Sequence, residues 1–258
     1  MSERQKTRDI LLENADILLP GISVDCVIFG FHEGALKIAL NRFVIHNQWM
    51  LPGGFIYKDE SVDDAAYRIL KNRTGLNEIY LKQFYLFGDK NRTDIEENRR
   101  ILTEEFNLSE KGVNHWMLQR FVSVGYYAFV EHSKTKISAT EDEEIRWFGI
   151  KEIPELYSDH NYIIEKALST IRSQLGYLPI GYELLAEKFT MTELRTIYET
   201  ILGKKLDRRN FQRKMLSTGL IKKLDEVSRK KGIKSTTLYS FNKEIFKKPE
   251  ENEVSFFD

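Results

Sequence analysis

The chain has 258 residues, which is long enough for two domains, and 41% of them are hydrophobic, as in a globular protein. Its 39 basic residues balance its 39 acidic residues, and its single cysteine, Cys26, excludes an internal disulfide and fits a small buried residue in a reducing cytoplasm. We find no run of 18 apolar residues and no apolar N-terminal segment, so neither a membrane span nor a signal peptide is expected.

The first half of the chain predicts strands around one helix. Residues 22–30 and 35–42 flank a turn and indicate a β-hairpin. A helix should follow, closed by Gly75, with these apolar residues on one face: Val62, Ala65, Ala66, Ile69 and Leu70. Another apolar run at 80–87, an insertion with helical segments at 95–120, and strands at 121–130 and 144–150 complete this half. The order favours an α+β fold, a mixed sheet with helices on its faces.

Residues 51–76 carry a spaced motif, LPGGFIYKDESVDDAAYRILKNRTGL. It resembles the signature of Nudix hydrolases, a loop-helix-loop that grips Mg²⁺ and a nucleoside diphosphate. Six residues keep its register: Gly54, Glu60, Arg68, Leu70, Gly75 and Leu76. Four later segments resemble the ADP-ribose pyrophosphatase-like branch of the family: FGDKNRTD, FVSVGYYAFV, RWFGIKEIPEL and DHNYIIEKAL. The insertion at 95–120 departs from that branch, where this part of the chain is usually shorter. The resemblance implies a Nudix-type mixed sheet sandwiched by helices.

The three metal-gripping glutamates of that signature are missing. Their positions hold Ile69, Asn72 and Arg73. Mg²⁺ prefers oxygen ligands, which isoleucine lacks and asparagine offers only as a neutral group, while arginine repels the ion. Glu60 remains, but in the family it is not one of the three. We therefore expect no catalytic residue, no metal, no cofactor and no enzyme activity.

The alternative is a Mg²⁺-dependent Nudix hydrolase acting on ADP-ribose-like substrates. Glu104 and Glu105 of the insertion would then replace the lost ligands, although a metal site needs several oxygens and a supporting shell. Asp159 and His160 also resemble a catalytic pair. A helix-capping aspartate followed by a structural histidine explains them better.

The last third of the chain predicts a winged helix-turn-helix. A helix over residues 163–175 connects to it, and a short helix follows over 179–189. Thr190 and Glu193 have the spacing of a capping box for a second helix, which ends at Gly203. A third helix should begin after its N-cap, Asp207, with Phe211 and Met215 facing inward, and a hairpin with a basic tip follows. These elements in this order are the plan of the motif.

The charge of this domain points to DNA. Residues 204–234 contain twelve Lys and Arg against three Asp and Glu, on a chain of zero net charge. Arg, Asn and Gln read base edges in the major groove, and lysines meet phosphates. The candidate DNA-binding residues are Arg208, Arg209, Asn210, Gln212, Arg213, Lys214, Lys222, Lys223, Arg229, Lys230 and Lys231. Two alternatives are a basic face that is only solvated and a basic face that docks a protein partner. The helix-turn-helix pattern argues against both.

A Nudix-like domain followed by LDRRNFQRK at residues 206–214 resembles the Nudix-related transcriptional regulators. The resemblance implies a homodimer that binds a palindromic operator in double-stranded DNA, and a Nudix domain that senses a small molecule. Some members of the family answer to ADP-ribose, and others control sugar catabolism. We expect a cytoplasmic, ligand-responsive repressor whose effector is a sugar or an ADP-ribose-like nucleotide-sugar.

The candidate effector ligands lie between the second strand and the signature: Arg42, His46, Asn47 and Trp49. The polar groups would meet ligand hydroxyls or phosphate, and Trp49 would pack on a sugar face. The alternative, which is equally consistent with the sequence, is that Trp49 is buried and only anchors this loop.

These assignments divide the chain into four parts. We predict a Nudix-like effector-binding domain over residues 1–150 and a connecting helix over 151–177. A winged helix DNA-binding domain over 178–248 and an acidic tail over 249–258 complete the chain.

Overall fold

The computed structural model describes residues 17–43, 48–75, 80–105, 116–132, 135, 143–175, 180–228 and 236–242, so the predicted acidic tail lies outside the described residues. The N-terminal unit contains β1 (Leu18–His32), β2 (Ala35–Phe43), β3 (Gly53–Tyr57), α1 (Val62–Thr74), β4 (Tyr80–Phe87), α2 (Ile95–Arg100), β5 (Val122–Val130), β6 (Glu143–Gly149) and α3 (His160–Gln174). The C-terminal unit contains α4 (Ile180–Leu184), β7 (Phe189–Thr190), α5 (Met191–Leu202), α6 (Arg208–Ser217), β8 (Ile221–Ser228) and β9 (Thr236–Phe241).

One long strand, β1, organises the N-terminal sheet. Its C-terminal half pairs antiparallel with β2, its N-terminal half pairs antiparallel with β3, and β5 runs parallel to it. β4 and β6 form the two edges, which produces the order β4-β5-β1-β2-β6. The predicted hairpin and the predicted mixed sheet are therefore confirmed.

Helices cover both faces of this sheet. Successive residues of a strand point to opposite faces, so Cys26 and Ile28 enter the core beneath α1, whereas Val27 and Phe29 enter the core shared with α3. All four side chains are fully buried. Cys26 is thus the small buried residue that the sequence predicts, and burial raises the pKa of its thiol.

The helix of the signature forms for local reasons. At its start, the side chain of Ser61 accepts a hydrogen bond from the backbone N–H of Asp64 at 3.1 Å. At its end, Gly75 adopts φ +71°, the left-handed conformation that closes a helix with least strain in glycine. The predicted C-cap is confirmed. The predicted insertion is helical in part, because α2 continues as a π-helical turn (Ile101–Glu105) and a 3-10 turn (Trp116–Leu118) precedes β5. Residues 106–115 lie outside the described residues.

The C-terminal unit is a winged helix. Both hydrogen bonds of the capping box between Thr190 and Glu193 are present, and Gly203 ends α5 at φ +68°. The short helix α4 is briefer than predicted, because Phe189 lies instead in β7, which pairs with β9. β8 and β9 form the predicted hairpin.

The two units share one apolar core. α3, predicted as a connecting helix, buries its apolar stripe on the sheet. α4 lies against β1 and β5, and α5 lies against β2 and α3. The side chain of Arg172 in α3 donates a hydrogen bond to the backbone carbonyl of Ile201 in α5. Among the helices that the structure describes, none combines the length and the apolar composition of a membrane span.

Candidate functional site

The candidate DNA-reading helix, α6, has one fixed side and one open side. The side chain of Asp207 accepts a hydrogen bond from the backbone N–H of Asn210 at 2.8 Å, as the sequence predicts. Phe211 and Met215 are buried, and the ring of Phe211 packs edge-on against Tyr198 of α5. These contacts determine which side of α6 faces away from the protein.

The open side of α6 is strongly basic. Arg208, Arg209, Asn210 and Arg213 are exposed, and Arg213 donates a hydrogen bond to the side chain of Asn210 at 2.9 Å. An exposed helix that presents several arginines fits the major groove, where one guanidinium can donate two hydrogen bonds to guanine.

The other candidate DNA-binding residues fall into three groups. Gln212 turns towards the hairpin, where its amide donates a hydrogen bond to the Tyr239 hydroxyl at 3.2 Å, and Lys214 is half-buried. Lys222 and Lys223 are exposed on β8. The remaining candidates, Arg229, Lys230 and Lys231, lie outside the described residues. Gln212 therefore contacts the hairpin in this structure, and its assignment to base reading stays a prediction.

The retained part of the signature is a structural clasp. Arg68 donates to both oxygens of Glu60, at 2.9 and 2.5 Å, and to the carbonyl of Phe55 at 2.8 Å. The backbone N–H of Tyr57 also donates to Glu60 at 2.8 Å. Arg68 thereby holds the pKa of the Glu60 carboxyl below its usual value. The clasp fixes the loop between β3 and α1.

The positions that would grip a metal do not fit Mg²⁺. Ile69 is buried, and its Cδ1 lies 3.1 Å from the point that a Cβ on Gly54 would occupy. Asn72 is exposed, and Arg73 forms an ion pair with Glu143. An apolar side chain and a guanidinium in place of two carboxylates leave too few oxygens for octahedral coordination. Glu104, a candidate substitute, is exposed and pairs with Arg100 at 3.0 Å.

Glu143 sits at the centre of a small polar cluster. One of its oxygens accepts from Arg73, and the other accepts from the side-chain amide of Asn41 at 2.6 Å. Its side chain is only 7% exposed. Asn41 is fully buried, and its Oδ1 accepts no hydrogen bond from the part of the chain that the structure describes.

The candidate effector ligands are only partly described. The guanidinium of Arg42 lies 5.0 Å from the centre of the Trp49 ring and donates to Glu144 at 2.7 Å. Trp49 packs edge-on against Phe148 and bridges to the backbone of Leu156. The structure thus brings Arg42 and Trp49 together, while the other two candidates, His46 and Asn47, lie outside the described residues.

Sequence reasoning missed a buried charged cluster at the start of α3. Arg92 donates to both oxygens of Asp159 at 3.0 Å and to Asp25 at 3.4 Å. Asp159 was expected to cap α3, but its side chain makes no cap hydrogen bond. Asp159 does stand at the N-cap position of α3, but the predicted side-chain cap is wrong, because a buried guanidinium is the stronger donor for this carboxylate. The one signal in the sequence was Asp25, an acid within an otherwise apolar strand.

His160 belongs to the same cluster and is structural, as expected. Its Nδ1 accepts a hydrogen bond from the backbone N–H of Leu51 at 2.9 Å, and its Nε2 lies 3.7 Å from Asp25. An imidazole that accepts at Nδ1 must be unprotonated there. Burial lowers the pKa of His160, although the charges of Asp25 and Asp159 act in the opposite direction.

Acid should weaken the fold through His160. Its pKa in the folded protein lies below the unfolded value, which is about 6.5, so the unfolded chain takes up the proton first. The contribution of the neutral His160 to the free energy of unfolding is therefore complete above about pH 6.5, and it decreases as the pH falls below that value. Below about pH 6.5 we expect protonation of His160 to lower the free energy of unfolding by up to about 1.4 kcal/mol per pH unit. Urea unfolding at a series of pH values on both sides of about 6.5 measures this change.

The matched control is His160→Asn, which keeps an acceptor for the N–H of Leu51 and removes the titrating group. The free energy of unfolding of this variant should depend less steeply on pH. An unchanged slope would assign the effect to other groups, such as His132, whose pKa burial also lowers.

Comparisons with known proteins cover both units in the same order. A model of the NUDIX domain matches residues 19–167, and a model of the NrtR DNA-binding winged helix domain matches residues 181–241. The chain is 27% identical over 236 residues to the ADPR responsive transcriptional repressor NtrR of Acinetobacter baylyi, across 89% of this chain and 85% of that relative.

Solved structures agree with the fold. The chain is 25% identical in sequence to Shewanella oneidensis NrtR, whose crystal structure was solved in complex with a 27mer DNA. The two structures superpose with a TM-score of 0.65, and the match covers 86% of this chain and 93% of that chain. A MutT/nudix family protein from Enterococcus faecalis is 22% identical, with a TM-score of 0.60 and coverage of 93% and 98%, and shows the fold alone. The predicted fold class is confirmed.

Proposed function

Because the chain belongs to the Nudix-related transcriptional regulators, in which a Nudix domain precedes a winged helix, we propose that it is a ligand-responsive repressor. The observation that carries the proposal is the open side of α6, where Arg208, Arg209 and Arg213 are exposed on a helix anchored by Phe211 and Met215. Such a surface suits operator DNA in the major groove.

A homodimer on a palindromic operator is part of this proposal. Two copies of α6 related by a two-fold axis match two half-sites that are related by the same axis. The effector would favour one arrangement of the two copies, and it can do so only by its difference in affinity for the two arrangements. Release of the operator on ligand binding is the behaviour that we expect of a repressor.

We propose a sugar as the effector, bound without a metal. The arginines around the signature already pair with carboxylates: Arg42 with Glu144, Arg68 with Glu60, Arg73 with Glu143, and Arg92 with Asp25 and Asp159. Within the described residues each of these arginines is already paired with a carboxylate, so a pyrophosphate would have to compete with that carboxylate or rely on backbone N–H donors. An uncharged, hydroxyl-rich ligand is therefore favoured. The relative named as ADPR responsive makes ADP-ribose the second candidate.

The test begins with the melting temperature of the full chain against pentoses, hexoses, sugar phosphates, ADP-ribose and NAD, each with Mg²⁺ and with EDTA. A ligand at 100 times its dissociation constant stabilises the folded state by about 2.7 kcal/mol, which is measurable as a higher melting temperature. We expect one sugar to raise it equally in Mg²⁺ and in EDTA. That sugar should then release the protein from a duplex selected out of a random pool.

Two results would contradict the proposal, and they are distinguishable. A shift with ADP-ribose that requires Mg²⁺ and is followed by hydrolysis would favour the alternative, a Nudix hydrolase. If no duplex sequence were selected, the assignment as a DNA-binding repressor would be wrong. The folded Arg209→Ala variant is the matched control for that selection.

A further inference from the structure

We propose that the guanidinium of Arg73, paired with Glu143, replaces the divalent metal of a working Nudix signature as the cation that balances the buried carboxylate. In the hydrolases that the signature resembles, the residue at this position is one of the glutamates that grip the metal. Here the chain supplies the positive charge itself. The inference goes beyond the proposed function, because it concerns the integrity of the domain and holds whichever effector binds.

The geometry ties three elements together at one carboxylate. Arg73 lies in the last turn of α1, Glu143 is the first residue of the edge strand β6, and Asn41 lies in β2. Each oxygen of Glu143 has its own donor, one on α1 and one on β2. A buried carboxylate requires such a cation, because burial without one is costly.

The position within the helix favours arginine once the metal is absent. The C-terminal end of a helix carries a partial negative charge, so a cation is stabilised there and a carboxylate is not. A glutamate at position 73 would also face the buried Glu143 across a short distance. Arg73 satisfies both the helix end and Glu143 without an ion.

A second substitution places an apolar side chain where the signature has a metal-gripping glutamate. Ile69, one helical turn before Arg73, faces the same side of α1 and is 4% exposed. Its side chain packs under Gly54, so close that even a Cβ on the glycine would press on it. The two changes act together, since one replaces an oxygen ligand with an apolar side chain and the other replaces the charge.

The first measurement is the melting temperature of the wild-type chain in EDTA, Mg²⁺ and Mn²⁺. We expect the same value in all three solutions. A rise with either metal would overturn the proposal, because the domain would then still bind an ion.

The second measurement compares three variants with the wild type. Arg73→Glu should lower the melting temperature by roughly 10 °C in EDTA, since it leaves two carboxylates facing each other. The charge-reversed pair, Arg73→Glu with Glu143→Arg, should recover most of that loss without metal. Arg73→Met should also lose stability. Equal stability of Arg73→Met and wild type, or a reversed pair no better than Arg73→Glu alone, would overturn the proposal.

Metal dependence distinguishes a replaced ion from an ordinary ion pair. Mn²⁺ should restore part of the stability of Arg73→Glu, which offers two facing carboxylates, and none of the stability of Arg73→Met. Lys71→Glu, at an exposed position of the same turn that the signature does not assign to the metal, is the control for nonspecific metal effects and should not respond. If Mn²⁺ acts alike on all three variants, Arg73 has no special relation to a metal and the proposal fails.

Discussion

Replacing Arg92 with methionine should lower the free energy of unfolding by about 3–5 kcal/mol, because one buried and one half-buried carboxylate would lose their cation. The side chain of Arg92 is 6% exposed, and those of Asp25 and Asp159 are 9% and 19% exposed. Little water is therefore available to replace the guanidinium. Chemical denaturation followed by circular dichroism measures the change.

Two further variants test the reason for this loss. The triple variant Arg92→Met, Asp25→Asn and Asp159→Asn also removes the two carboxylates that would be left without a cation, so it should recover part of the stability. Arg100→Ala breaks ion pairs with Glu97 and Glu104 that are more exposed than those of Arg92, so it should change stability less. If Arg100→Ala were as damaging as Arg92→Met, burial would not be the cause.

Arg209→Ala should weaken binding to the operator by about 1–3 kcal/mol, roughly a 5- to 150-fold loss of affinity, if the arginine contacts guanine. The side chain is exposed on α6 and supports no core contact, so the variant should melt at the wild-type temperature. Fluorescence anisotropy with the operator and with a scrambled duplex measures the two affinities. Selectivity between the two duplexes should fall together with affinity.

The matched control is the pair Lys222→Ala and Lys223→Ala on β8. Lysines that meet phosphates act on every sequence alike, so these changes should weaken both duplexes equally. They should also reduce the dependence of affinity on salt by about one counterion for each lysine lost. An Arg209→Ala variant that behaves in the same way would show that α6 does not read bases.

The features that the sequence predicts correctly depend on neighbours in the chain. The capping box at Thr190, the N-cap at Asp207 and the glycine that closes α1 each involve residues within a turn of one another. Alternation along β1 likewise needs only the local pattern of apolar residues. Such features can be read without knowing the fold.

The features that the sequence does not reveal join distant parts of the chain. Arg92 and Asp159 are separated by 67 residues, and Arg73 and Glu143 by 70. No spacing rule connects such residues, because only the folded sheet brings β6 to α1 and the start of α3 to the segment after β4. The resemblance to the Nudix signature predicts that the metal ligands are missing, but it could not predict what Arg73 contacts.

The apolar core that the two units share has a consequence for how the protein unfolds. Val27 and Phe29 of the Nudix sheet belong to the same cluster as Leu194 and Ile197 of α5, so separating the units would expose both sets to water. The chain should therefore unfold in a single cooperative step rather than domain by domain. Hydrogen exchange in α6 would then slow when a ligand occupies the Nudix domain, without any contact between the ligand and α6 being required.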